Sequence, residues 1–275
     1  MVVIESSFSA PPQDLVVVRG VSKRFDRHEV LRDMNVTALR GEIAVVIGKS
    51  GSGKTTLLKI MGALEKPTGG AVFIGGVDIV PLGEEELKIV RRRIGTVFQY
   101  SALLDWMTVF ENVAFPLHEH TELAAGEIHE RVSSKLDVLE LSDATDLMPA
   151  ELSGGMRKRV ALARALILEP EIVMYDEPTS GLDPVMAGVV DDLILRTRER
   201  FGVTSIVISH DMAAALRVAD RVHLLAEGTI VASGAPRELL SGPSEQALEF
   251  IDASAIDTER LLREHEARLA GKGGR

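Results

Sequence analysis

Gly48-Lys49-Ser50-Gly51-Ser52-Gly53-Lys54-Thr55 is the stretch from which the rest of this chain can be read. It follows the apolar run 43–47 and opens a helical pattern at Thr55 and Thr56, the strand–loop–helix setting in which G-x-x-x-x-G-K-[ST] cradles phosphate. The glycines let successive backbone N–H groups turn inward, and the helix N-terminus adds positive potential. Lys54 is placed to reach the β- and γ-phosphates, and the Thr55 hydroxyl to ligate Mg²⁺. The whole stretch from Gly48 to Thr56 is therefore a set of ATP-binding candidates.

A phosphate site of this kind needs a carboxylate at the end of an apolar strand, and Ile172-Val173-Met174-Tyr175-Asp176 supplies one. Asp176 is the second metal-site candidate. Glu177, next in the chain, can accept a proton from an attacking water. Further β-branched runs at 15–18, 204–208 and 222–225 alternate with helical patterns, which implies an α/β fold with a largely parallel sheet. From about 100 to 148 the rhythm breaks: no strand is evident, and Ile128, Val132, Leu136 and Leu139 recur at helical spacing. A helical lobe inserted in the core is expected there. After 243 a helix-forming extension begins, with apolar positions at Leu248, Ile251, Ile256, Leu261 and Leu262 and a basic, glycine-rich end at 271–275.

The bulk properties exclude several classes. A net charge of −10 opposes general affinity for nucleic acid, and the basic run Arg91-Arg92-Arg93 reads as a solvated helix face. The longest stretch without Asp, Glu, Lys or Arg is 11 residues, against about 20 needed to cross a bilayer as a helix. Residues 1–13 lack the pattern of a signal peptide, so the chain is expected to stay in the compartment where it is made. With no cysteine, disulfides and thiolate metal sites are excluded.

Leu152-Ser153-Gly154-Gly155-Met156, with the helix that follows it, resembles the signature motif of the ATP-binding-cassette (ABC) family. Physically it is a second anion site: Ser153 can cap the helix, and the bare backbone at Gly154 and Gly155 admits a phosphate closely. The remaining family elements follow in order. Gln99 resembles the Q-loop glutamine that senses Mg²⁺ and γ-phosphate, 180–183 resembles the D-loop with Asp183 at its end, and His210 resembles the switch histidine. Phe25 stands where the family stacks an aromatic ring on adenine, with Val30 beside it. Singly, Gln99 reads more readily as loop polarity, His210 as a capping or core histidine and Phe25 as ordinary core; their joint occurrence in order reverses this and carries the resemblance. It implies a P-loop NTPase core with a mostly parallel sheet, an antiparallel β edge and a helical subdomain at about 100–168, together making an ABC domain over 1–243. It also implies a head-to-tail homodimer in which Ser153, Gly154 and Gly155 serve the nucleotide on the other subunit's P-loop. Two departures stand out: Lys49, where many members have Pro, and Met156, where Gln is commoner and could donate an amide to the sugar.

The segment 100–120, from Tyr100 to His120, holds the only Trp of the chain, Trp106, with Leu103, Leu104, Met107, Phe110 and Phe115. In the family this surface grips a membrane subunit, and Trp106 is the expected anchor. The wording of 101–104, 107–117 and 119–121, joined to a Ser-Gly-Gly-Met signature, resembles the ATPases of Mce/Mla-type lipid transporters. That resemblance implies phospholipid movement between inner and outer membranes, with the chain peripheral on the cytoplasmic side of the inner membrane. It implies MlaE-like permeases at the 100–120 surface, a periplasmic MlaD-like protein and an MlaB-like regulator. The alternatives are another ABC cargo (lipoprotein release or amino-acid import), a non-transport ABC protein acting in cell division or on ribosomes and DNA, or a P-loop kinase or GTPase; the last is disfavoured because no guanine-specifying Asn-Lys-x-Asp is present and neither a kinase nor a GTPase needs Leu152 to Met156.

Overall fold

A computed structural model of the chain describes residues 13–241 together with Arg260, Arg263, Glu266 and Ala267. The apolar stripe expected from Leu248 to Leu262 lies outside them. In chain order, β1 (Asp14–Phe25) and β2 (His28–Leu39) form a hairpin, and β3 (Ile43–Ile47) leads through the glycine-rich loop into α1 (Lys54–Met61). Next come β4 (Gly69–Ile74), β5 (Val77–Asp78), α2 (Glu84–Arg91) and β6 (Ile94–Val97). Three helices, α3 (Val109–His120), α4 (Ala125–Val138) and α5 (Gly154–Leu166), separate β6 from β7 (Ile172–Asp176). The chain continues through α6 (Pro184–Phe201), β8 (Thr204–Ser209), α7 (Met212–Val218), β9 (Arg221–Ala226), β10 (Thr229–Gly234) and α8 (Pro236–Ser241).

The strands make two sheets. One is antiparallel, β2-β1-β4-β5; the other runs β10-β9-β3-β8-β7-β6 and is parallel except for β10. The central parallel strands β3, β7 and β8 are buried and mostly apolar because both faces are covered. Ile43, Val45, Ile47, Val173, Tyr175 and Val207 face a core shared with α3–α7. Ala44, Val46, Ile172, Met174, Ile206 and Ile208 face a second core shared with α1, α2 and the antiparallel sheet. Each fully buried Ile, Leu or Val contributes roughly 1.5–3 kcal/mol, so the plate carrying the site is held by burial on both of its faces.

Five strands carried weaker sequence signals, among them β4, which opens on two exposed glycines. β2 is half exposed and mixes charged with apolar residues, β6 has only four residues, β5 has two, and β10 lies at a sheet edge. The basic run at 91–93 is not a simple solvated face, which corrects the sequence reading. Arg91 donates to the Ala63 carbonyl and pairs with Glu84 at 2.9 Å, and Arg93 pairs with Glu171 at 2.7 Å; of the three only Arg92 is fully exposed. Charge composition alone does not reveal carbonyls and carboxylates that the fold brings within reach. The helical stripe Ile128, Val132, Leu136 and Leu139 is buried as its spacing predicts.

Candidate nucleotide site

Sheet register brings the site together. Ile47 of β3 pairs with Ser209 of β8, and Asp176 of β7 pairs with Ile208, so the C-terminal ends of three adjacent parallel strands finish level. The residues just past those ends are the glycine-rich loop, Glu177 and His210. Ligands of open parallel sheets bind in this crevice.

The loop conformation needs its glycines. Gly53 has φ 104°, and a Cβ there would meet Leu31 Cδ2 at 2.7 Å and Val30 Cγ1 at 3.3 Å. A Cβ on Gly48 would lie 2.3 Å from the Leu225 carbonyl oxygen. Val30 thus packs against the loop at Gly53. Because Gly53 offers no side-chain cap, the first turn of α1 keeps its N–H groups for an anion. Lys54 is buried, and its ammonium donates to the Gly48 and Lys49 carbonyls at 2.9 and 3.0 Å. It also lies 3.5 Å from Glu177 Oε1. Lys49, Ser50 and Thr55 are exposed and Thr56 half-buried.

Thr55 Oγ1 donates to Asp176 Oδ1 at 3.3 Å. Burial holds the Asp176 carboxyl above the usual carboxylate range; the Thr55 hydrogen bond pulls it back down, the neighbouring Glu177 raises it, and Lys54 opposes. A hydroxyl and a carboxylate so close are the hard oxygen donors Mg²⁺ takes alongside water and phosphate, so the residues fit the ion. Glu177 takes φ 46°, a left-handed conformation that costs about 1–2 kcal/mol in a residue with a Cβ, while its N–H donates to the Ile208 carbonyl at 2.9 Å. Its carboxylate is held from two sides, by Lys54 on Oε1 and by His210 on Oε2. His210 donates through Nδ1–H at 3.1 Å, which leaves Nε2 for another partner. An anionic base, a cation and an imidazole thus converge where a γ-phosphate on this loop would lie.

Other candidates sit apart from this cluster. The Gln99 side chain donates to Ser180 Oγ at 3.1 Å, so it rests on the 180–183 loop and not on Thr55 or Asp176. Asp183 caps α6, its Oδ1 accepting from the Val185 and Met186 N–H groups at 2.9 and 3.1 Å. Ser153 caps α5, accepting from Met156 N–H at 3.2 Å. A Cβ on Gly154 would find open space, and one on Gly155 would meet Met186. The neighbours of this signature turn are therefore α5 and α6. Phe25 is 45% exposed at the end of β1, with the Lys23 ammonium 4.7 Å from its ring centre. Of the 100–120 segment, Leu103 and Phe110 pack on the core, whereas Tyr100, Trp106 and Phe115 are exposed. Of these, Phe115 lines a groove of about 490 Å³ whose walls also include Phe98, Arg92 and Arg164.

Sequence reasoning passed over Lys158 and Arg164. Lys158 shares a helix face with the buried Ala161 and Leu162, an odd phase for a lysine and the one signal that could have singled it out.

Residues 31–180, more than half of the chain, match the family model described as ABC transporter, and the chain belongs to that family. It is an ATP-binding, ATP-hydrolysing cassette. Two of its relatives are the "Intermembrane phospholipid transport system ATP-binding protein MlaF" of Haemophilus influenzae and of Escherichia coli K12. Each is 41% identical, over 240 and 242 residues, which is 87% and 88% of this chain and 90% of each relative. "Methionine import ATP-binding protein MetN 1" of Rhodococcus jostii is 43% identical over 236 residues, 84% of this chain and 70% of that protein. Among solved structures, the dimeric post-hydrolysis state of the ATP-binding cassette MJ0796 bound to ADP and Pi has a TM-score of 0.72 at 34% identity, covering 80% of this chain and 98% of that one. The α/β cassette expected from the motifs is borne out.

Proposed function

We propose that this chain is the ATP-hydrolysing subunit of a transporter that moves phospholipids between the inner and outer membranes of a bacterium. The convergence of Lys54, Glu177 and His210 beside the Thr55–Asp176 pair carries the catalytic part of this reading. Lys54 neutralises the β- and γ-phosphates, Glu177 takes the proton of the attacking water, and His210 orients Glu177 and faces the γ-phosphate. Mg²⁺ held by Thr55, Asp176 and, after it leaves Ser180, Gln99 would offset charge on the phosphate oxygens. Phe25 and Val30 take the adenine, with Phe25 releasing Lys23 to offer its ring.

The site works in a homodimer, where Ser153, Gly154, Gly155 and Asp183 of one subunit face the nucleotide of the other; the open backbone at Gly154 supports this. The ABC domain spans 1–243, with 100–168 as its helical subdomain and 244–275 as an extension. The exposed Tyr100, Trp106 and Phe115 dock an MlaE-like permease, and an MlaD-like periplasmic protein and an MlaB-like regulator complete the assembly on the cytoplasmic face of the inner membrane. Likeness to MlaF along nine-tenths of that protein's length supports the lipid cargo. The likeness to MetN keeps amino-acid import as a second reading.

Copurification from detergent-solubilised native membranes, with mass spectrometry of proteins and lipids, tests the cargo. Recovery of a permease with an Mce-domain protein and phospholipid is expected. A permease with an amino-acid-binding protein would transfer the motor to the second reading.

A further inference from the structure

The signature helix α5 holds the loop after β6 by its main chain. Lys158, buried in α5, donates its ammonium to the Gln99 carbonyl. One and a half turns later, Arg164 donates to the Ser101 carbonyl at 3.0 Å. Neither cation has a carboxylate within ion-pairing distance among the described residues. Burial alone depresses both, as expected of charges whose compensation comes from carbonyl dipoles. Between and after these two grips the backbone is strained: Ser101 and Ala102 take φ 63° and 47° in succession, and Ser101 is buried. Two adjacent left-handed residues with side chains persist only where the surroundings fix them. On the far side the Gln99 amide reaches Ser180, so α5, Gln99 and the 180–183 loop form one hydrogen-bonded chain.

We infer that Lys158 is a positioning residue for the reaction. It makes Gln99 travel with the signature helix, so that the glutamine amide leaves Ser180 for the nucleotide only when α5 moves. Arg164 is the second grip on the same loop. Lysine suits the task because its ammonium is a point charge on a long apolar stem, able to reach through packed side chains to a carbonyl. The inference rests on the proposed role of Gln99 as the residue that senses nucleotide.

The test uses the full-length protein with Lys158→Met, Lys158→Arg, Arg164→Met and Gln99→Ala. Hydrogen exchange of residues 99–104 and steady-state ATPase kinetics are measured for each. Lys158→Met is expected to speed exchange in 99–104 at least tenfold while α1 and the rest of α5 exchange as in wild type. Its kcat should fall about tenfold with KM for ATP within twofold, and Lys158→Arg should recover most of both. Arg164→Met should repeat the pattern, and it decides the matter if Lys158→Met does not fold. Unchanged exchange, unchanged kcat, or an Arg variant as poor as Met overturns the clamp. Gln99→Ala at wild-type turnover removes the sensing role and the clamp with it. An impaired Gln99→Ala beside an unaffected Lys158→Met removes the clamp alone.

Discussion

His223 shows how a single buried residue sets a condition on the fold. Its Nε2–H donates to the Thr37 carbonyl at 3.1 Å and its Nδ1 accepts from Ser233 at 2.8 Å, so the neutral ring joins β9 to β2 and β10. Burial, with Arg221 nearby, pushes its pKa down to about 4 despite the Thr37 hydrogen bond. The unfolded chain, with an ordinary value near 6.5, binds the proton first as pH falls. The stability due to His223 is therefore complete above about pH 6.5 and is lost as pH falls toward 4, by about 3 kcal/mol over the whole window. Urea unfolding of wild type and His223→Gln from pH 7.5 to 4.5 should converge at the acid end; parallel curves would contradict the buried neutral state. At the phosphate loop, Lys54→Ala leaves the Gly48 and Lys49 carbonyls and the Glu177 carboxylate without their cation. Isothermal titration should find ATP affinity reduced at least a hundredfold with the fold retained.

The elements were legible in the sequence to the extent that their burial was symmetrical. β3, β7 and β8 are buried on both faces, and their short, mostly apolar runs stood out. β2 and β6 alternate or are too brief, and they acquire strand character from their partners. The same asymmetry explains the site: the glycine-rich loop, Asp176-Glu177 and the signature announce themselves by local pattern. The Lys158–Gln99 and Gln99–Ser180 contacts join residues 59 and 81 positions apart, and no local pattern encodes them. At this scale Asp183 is open to a clean test. Its Oδ1 satisfies two N–H groups at the start of α6, so Asp183→Ala should lower stability by about 1 kcal/mol in thermal or urea unfolding, and Asp183→Asn should keep most of it.

For the molecule as a whole, the described fold leaves the signature turn opening on α5 and α6, while the P-loop, Glu177 and His210 gather at the C-terminal edge of the sheet. In the proposed homodimer a second copy of the chain supplies what one copy holds apart, and turnover per subunit should therefore fall as the protein is diluted through its dissociation range. In the proposed mechanism Glu177, held between Lys54 and His210, is the base of an ATPase that closes as a dimer. Light scattering on Glu177→Gln, with and without MgATP, tests it most directly. ATP should convert that variant to a stable dimer that ADP does not produce, with turnover below about one-hundredth of wild type. A Glu177→Gln protein that hydrolyses ATP at the wild-type rate, or whose mass does not respond to ATP, would contradict the account.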